Sequence, residues 1–155
     1  TTVLCLMALE ELVGKQKIQR LLDVGTGSGI LAIAAALWGA RFALGLDNDP
    51  VAVRVAGENA RNNGFGEERL SFALTPVGEL TESYPLVVAN FLSGILIELA
   101  PAIAARVASK GRLVLSGILD EQGEEVRAAY EALGFTQERR TERGQWLALW
   151  FVRNA

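Results

Sequence analysis

Histidine is absent from the 155 residues, and cysteine occurs once. The first absence excludes Ser-His-Asp and Cys-His catalysis and histidine-bound metals within these residues, so no metal site is expected. The second excludes an internal disulfide, because Cys5 has nothing to pair with. Charge is sparse: 15 Lys and Arg stand against 18 Asp and Glu, a formal net charge of −3. The broad basic footprint that phosphate backbones require is missing, and no direct nucleic-acid contact is expected. The longest apolar run, from Ile30 to about Ala40, falls short of the roughly 18 residues that cross a bilayer, so no membrane span is expected. No basic stretch followed by an apolar core and a cleavage site occurs either, and a reducing, cytoplasmic setting is the expectation. The chain opens on Thr1 without a methionine. That reads as an excerpt or as a chain whose start is not represented, and a preceding segment could restore a histidine.

What is present is a globular composition, half hydrophobic (50%) with 21% charged residues, at a length of about one domain. Residues 3–13 are good helix formers, apolar on most sides, with Gly14 as the expected stop. Residues 20–24 read as a short strand ending in glycines, and Ile30 to Trp38 as an alanine-rich buried helix. The pattern repeats in kind. Phe42 to Asp47 form a second strand, Asp49-Pro50 starts a helix with Asp as N-cap, and Asn63-Gly64 closes it. Arg69 to Leu74, Pro85 to Asn90 and residues 111–116 are further strands. A helical stretch from Gly94 to Ala108 is broken by Pro101, and a helix from Asp120 to Leu133 ends at Gly134. Phe135 to Thr141 and Gln145 to Arg153 read as a hairpin around Glu142-Arg143-Gly144. The expected fold is α/β and Rossmann-like: one domain over residues 1–155, with a mostly parallel seven-stranded sheet, helices on both faces and a C-terminal antiparallel hairpin.

In an open parallel sheet, ligands lie at the carboxyl ends of the strands. The loop after the first strand carries Gly25, Gly27 and Gly29, which let the backbone turn sharply and approach a ligand closely. A pyrophosphate fingerprint needs glycine or alanine at position 30, and Ile30 stands there. The loop therefore suits a phosphate-free ligand such as S-adenosylmethionine, or a tight turn with no ligand at all. The acid that grips ribose hydroxyls belongs about 20 residues on, and Asp47 stands 22 positions beyond Gly25. Asp49 has a structural explanation as helix cap, whereas Asp47 has none. Asp23 either holds amides of its own loop or reaches the ligand's ammonium group. Asn90, at the tip of the fourth strand, is a cap or a ligand contact, since a buried amide there needs partners.

Together, Leu22-Asp23-Val24-Gly25-Thr26-Gly27-Ser28-Gly29-Ile30, Asp47-Asn48-Asp49-Pro50, Glu58-Asn59-Ala60, Asn63-Gly64, Val88-Ala89-Asn90 and Leu115-Ser116-Gly117-Ile118-Leu119 resemble a class I methyltransferase. Within that class the chain resembles the PrmA family, which methylates a large-subunit ribosomal protein, the eleventh; Thr1-Thr2 with Leu4-Cys5-Leu6 match as well. Relatives that methylate bases or glutamine carry Asn-Pro-Pro-aromatic where this chain has Asn90-Phe91-Leu92-Ser93, so a flexible aliphatic amine fits better than a flat group. The resemblance implies S-adenosyl-L-methionine as cofactor, contacted by Thr2, Gly25, Asp47, Asn48 and Asn90, with Asn90 nearest the methyl donor. It implies methyl transfer to lysine side chains and the N-terminal amine of the ribosomal protein. The family's Gly-Thr-Gly-x-His-Pro segment and substrate-recognition domain would precede Thr1. Thr75-Pro76 replaces an acidic residue that related enzymes often place near the adenine.

Three other readings compete: a cofactor-binding module without independent catalysis, a methyltransferase for another amine or an RNA, and a nicotinamide oxidoreductase, which Ile30 disfavours. Arg139, Arg140 and Arg143 read as a solvated edge, Trp146 and Trp150 as packing, and Cys5 as a small buried hydrophobe.

Overall fold

The computed structural model describes residues 1–155. Its elements in chain order are α1 (Thr2–Lys15), β1 (Arg20–Val24), α2 (Ile30–Leu37), β2 (Phe42–Leu46), α3 (Pro50–Asn62), β3 (Leu70–Ala73) and β4 (Tyr84–Asn90). There follow α4 (Ser93–Glu98), α5 (Ala100–Arg106), β5 (Val107–Leu119), α6 (Gly123–Glu131), β6 (Phe135–Arg143) and β7 (Trp146–Arg153). The seven strands form one sheet in the order β3-β2-β1-β4-β5-β7-β6; β7 runs antiparallel to both of its neighbours, and the other pairings are parallel. No helix is long and apolar enough to cross a membrane.

The chain runs outward from β1 to β2 and β3, then returns to β4 on the other side of β1. The connections after β1 and β4 therefore diverge, and a crevice opens between them at the carboxyl ends. Strand alternation decides which side chains face it. Leu21, Ala43, Leu86, Val88 and Val114 pack in one core cluster under α1 and α2, while Leu22, Val87 and Leu113 pack in the other with α4, α5 and α6. The same parity puts Asp23, Asp47, Asn90 and Ser116 on the α1–α2 face.

Most elements lie where the sequence places them, and the departures have local causes. Gly14 does not stop α1, which continues through Lys15, whose ammonium pairs with Glu11 at 2.8 Å, before Gln16 turns extended. The expected helix to Ala108 ends at Arg106, whose guanidinium donates to the carbonyls of Leu80 (2.6 Å) and Glu82 (3.0 Å). β5 is longer than residues 111–116 because a kink at Lys110 (φ 61°) shifts its pairing from Tyr84↔Val107 to Leu86↔Arg112. A short helical turn over Asp120–Gln122 precedes α6.

Gly45 in β2 is a packing requirement that its sequence neighbours do not announce. A Cβ there would stand 2.5 Å from the Phe72 ring and 2.6 Å from Thr26 Oγ1, beneath the loop that follows β1. Gly45→Ala is expected to lower unfolding stability by about 1–3 kcal/mol, read as a lower urea midpoint; an unchanged midpoint would mean that ring and hydroxyl move aside without cost.

Candidate active site

The glycine loop is fixed from outside. The amides of Gly25 and Thr26 both donate to Leu46 O at 2.8 Å, which fastens the start of the loop to the end of β2. Asp47 Oδ2 accepts the Gly27 N–H at 2.9 Å, and Asp47 Oδ1 accepts the Asp49 N–H at 3.1 Å. Asp49 caps α3 by accepting from Val51 N–H at 2.9 Å. From α3, Asn59 Nδ2 donates to Ser28 O at 2.9 Å. Gly25, Gly27 and Gly29 all have positive φ (77°, 55° and 85°). At Gly25 the requirement is doubled, because a Cβ would collide with the Phe91 ring.

Asp47 thus acquires a structural task that the sequence did not show. The two amide bonds use about half of a carboxylate's roughly four acceptor positions, so capacity for a pair of hydroxyls remains. Asn48 lies exposed in the same turn.

Asp23 is fully buried beneath the loop, under α1 and α2. Its Oδ2 accepts from Thr26 Oγ1 at 2.8 Å, and its Oδ1 has no hydrogen-bond partner. The Thr26 bond ties Asp23 to its own loop, and the Ala32 amide of α2 also favours its charged form. Burial raises its pKa to about 7; the Thr26 hydrogen bond opposes that rise and the nearby Asp47 charge adds to it. Cys5 packs on the same side, and burial followed by the charge of Asp23 pushes its thiol up to about 12, the state of an inert packing residue.

On the other wall, Asn90 ends β4 with its side chain toward the start of α1. Its Nδ2 donates to Thr2 Oγ1 at 3.5 Å, a long bond that leaves the amide free to exchange partners. Beside it Gly117 has φ 88°, and a Cβ there would collide with Phe91 O and stand 3.1 Å from Asn90 Oδ1. A cleft of about 540 Å³ opens here, with Asn90 and Gly117 at its base and Leu92, Ile95 and Trp146 on its walls. No ionisable side chain lines it. A cavity of about 600 Å³ at the opposite end of the sheet, near Thr81, Ser83 and Arg153, contains none of the expected residues.

The structure brings Thr2, Asp23, Gly25, Gly27, Gly29, Asp47, Asn48 and Asn90 to one edge of the sheet, with Asp23 below the surface. Sequence reasoning missed Thr26, Phe91 and Gly117. Thr26 had a faint signal, a hydroxyl three residues after an acid at a strand end; the other two act through contacts distant in sequence.

Strand order, a glycine loop after β1, an acid after β2 and an antiparallel β7 define the class I methyltransferase fold. A solved ribosomal protein L11 methylase from Lactobacillus delbrueckii subsp. bulgaricus superposes with a TM-score of 0.89 at 30% identity, over 97% of this chain and 78% of that one. Magnesium protoporphyrin IX methyltransferase from Synechocystis, solved with bound SAM, shares the fold at a TM-score of 0.79 and 20% identity, over 96% of this chain and 76% of that one. The family model of ribosomal protein L11 methyltransferase (PrmA) matches residues 1–154, and the chain belongs to that family. The ribosomal protein L11 methyltransferase of Stenotrophomonas maltophilia is 45% identical over 157 aligned positions, covering 100% of this chain and 50% of that protein. That of Chromohalobacter salexigens is 46% identical, over 96% and 49%. The chain spans about half the length of these curated relatives.

The raised pKa of Asp23 sets a pH dependence. An acid that binds its proton more tightly folded than unfolded contributes stability below its unfolded pKa of 3.8, and that contribution is lost as pH rises toward about 7. The unfolding free energy of the wild type minus that of Asp23→Asn should fall between pH 5 and 7.5 in urea titrations. A difference independent of pH would contradict the burial argument.

Proposed function

We propose that this chain is the S-adenosyl-L-methionine-binding, methyl-transferring part of a cytoplasmic protein N-methyltransferase that acts on amino groups of large-subunit ribosomal protein L11. The amino groups are those of lysine side chains and the N-terminus. The observation that carries this is the convergence, at one crevice, of a bare glycine loop, an anchored Asp47 with unused acceptor capacity, and Asn90 beside a cleft without ionisable side chains. Names of the curated relatives supply the protein acceptor.

The residues fit the cofactor. Asp47 would take both ribose hydroxyls on its remaining acceptor positions, in charge-assisted bonds of about 1.5–3 kcal/mol each. The main chain of Gly25, Gly27 and Gly29 would pass beneath the uncharged middle of the ligand, with Asn48 beside the ribose. Thr2 and Asn90 would stand at the methionine end. Asp23 serves from below, as the anchor of Thr26.

When bound, the cofactor supplies an electrophilic methyl, which an amine lone pair takes as the carbon–sulfur bond breaks and S-adenosylhomocysteine leaves. The acceptor must first be neutral. A lysine of pKa about 10.4 is neutral roughly once in 2500 molecules at pH 7, a cost near 4.6 kcal/mol. The cleft favours that form, because its walls of Leu92, Ile95 and Trp146 desolvate the amine and offer no carboxylate to hold an ammonium. Alignment contributes more, on the order of 7–11 kcal/mol. Asn90 Oδ1 would accept an N–H of the amine and aim its lone pair, and the released proton passes to solvent. No histidine is present to act as base.

A second reading, a cofactor-binding module without turnover of its own, is favoured by the chain's spanning about half of its relatives. Titration calorimetry with S-adenosylmethionine alongside methylation of purified L11 separates the two: binding without transfer supports the second. For the first, Asn90→Ala should reduce transfer at least a hundredfold while cofactor affinity changes far less. Full turnover by Asn90→Ala would remove the residue from the reaction.

A further inference from the structure

Four buried side-chain atoms that could hydrogen-bond have no partner. Gln137 Oε1, Thr141 Oγ1 and Trp150 Nε1 belong to the hairpin, and Asp23 Oδ1 alone lies under the glycine loop. Ionised, that oxygen would carry negative charge with no donor facing it, a state that burial makes costly. The surrounding groups supply no positive charge. The loop offers the Thr26 hydroxyl, already on Oδ2 at 2.8 Å, and α2 offers the Ala32 amide. From α1 comes the Cys5 thiol, pushed up to about 12 and therefore neutral, and from the end of β2 the like charge of Asp47. Ser116 on β5 donates elsewhere, to Leu147 O at 2.8 Å. No ion pair of the chain includes Asp23 or Asp47. The loop therefore has an acid beneath it, a second acid beside it and no base.

The ligand proposed for this loop has the complementary charge. S-adenosylmethionine carries a sulfonium and an ammonium against a single carboxylate, whereas S-adenosylhomocysteine has lost the sulfonium and is neutral overall. A bound ligand acts on a nearby acid in two opposed ways: removing water favours the neutral form, and adding positive charge favours the ionised one. Asp23 is already 0% exposed, so a ligand above it has no water left to remove. Only the charge changes. Gly25 stands two residues beyond Asp23, about 7 Å of extended chain. Across so short a stretch of protein interior a positive charge is weakly screened.

We infer that Asp23 gives up its proton when the cofactor settles on the loop, and that the resulting carboxylate makes the site prefer the sulfonium donor to the neutral thioether product. The proton passes from the carboxyl group to solvent, and no other bond forms or breaks. Asp23 touches neither the methyl nor the acceptor; it is a positioning residue that acts through the loop. This rests on the proposed function, because it takes its ligand from there. In the free chain burial raises the pKa of Asp23 to about 7, so the side chain is roughly half protonated at pH 7 and mostly protonated at pH 6. Ionised in the complex, it releases that share. Affinity for S-adenosylmethionine therefore rises with pH until Asp23 is ionised in the free chain as well.

The test is titration calorimetry of the wild type and Asp23→Asn with S-adenosylmethionine and with S-adenosylhomocysteine, at pH 6, 7 and 8, in two buffers of different ionisation heat. Subtracting the variant from the wild type removes protons exchanged by the ligand's own amine. For S-adenosylmethionine the difference should be a release of about 0.3–0.5 proton at pH 7 and more at pH 6, and for S-adenosylhomocysteine less than half as much. At pH 8 the preference for S-adenosylmethionine over S-adenosylhomocysteine should be three- to tenfold weaker in Asp23→Asn than in the wild type. If the variant does not fold, the carboxyl carbon-13 resonance of Asp23 in the wild type at pH 6.5 replaces it, and should move from its neutral to its charged position at saturating S-adenosylmethionine. Equal proton release by the two proteins, or a resonance that the ligand leaves in place, would overturn the inference while leaving cofactor binding intact. A wild type that binds neither ligand would overturn the functional reading and this inference with it.

Discussion

The Asp47 carboxylate takes one amide proton from the glycine loop and a second from the turn that starts α3, and by doing so locks two strand ends to each other. Gly25, Thr26 and Asn59 reinforce the same junction from the carbonyl side, through Leu46 O and Ser28 O. An otherwise pliable run of glycines is therefore held in one shape before a ligand arrives. A loop already ordered loses less conformational freedom on binding, so more of its contact energy appears as affinity. Removing the carboxylate would release both the loop and the turn that starts α3.

Strand parity extends that constraint across the sheet. Asp23, Asp47 and Asn90 face the same layer as Cys5 and Ser116, and the loop, the acid and the amide therefore meet on one side of the switch point. The cost falls on Asp23, a fully buried carboxylate with one unpartnered oxygen in a core cluster of leucines and alanines. A packing-driven core would place an apolar side chain at that position. Its retention here is a local violation of core chemistry at a site where the loop needs Thr26 held from beneath.

What could be read in the sequence was whatever local physics determines. The Asp49 cap, the Asn63-Gly64 stop, the break at Pro101 and the glycine turns act through neighbours a few residues away, and each lies where expected. Asp47 was visible from spacing, but its amide partners were not, since Gly27 is 20 residues distant. The kink at Lys110 depends on pairing with β4, the need for glycine at 45 and 117 on Phe72, Thr26 and Phe91, and the unpaired Trp150 on how the hairpin meets α1. None of these leaves a local signature. Trp146 and Trp150 read alike as packing from sequence, whereas in the fold Trp146 lines the cleft beside Asn90 and Trp150 is buried under the Arg139 guanidinium.

The position of the cofactor's sugar is the most direct test of the proposed function. A crystal structure of this chain with S-adenosylhomocysteine should show both ribose hydroxyls on the Asp47 carboxylate, with the Gly27 N–H bond to Oδ2 intact and the thioether sulfur facing Asn90. A ribose bound away from Asp47, or a loop that abandons the Gly27 bond to admit the ligand, would contradict it.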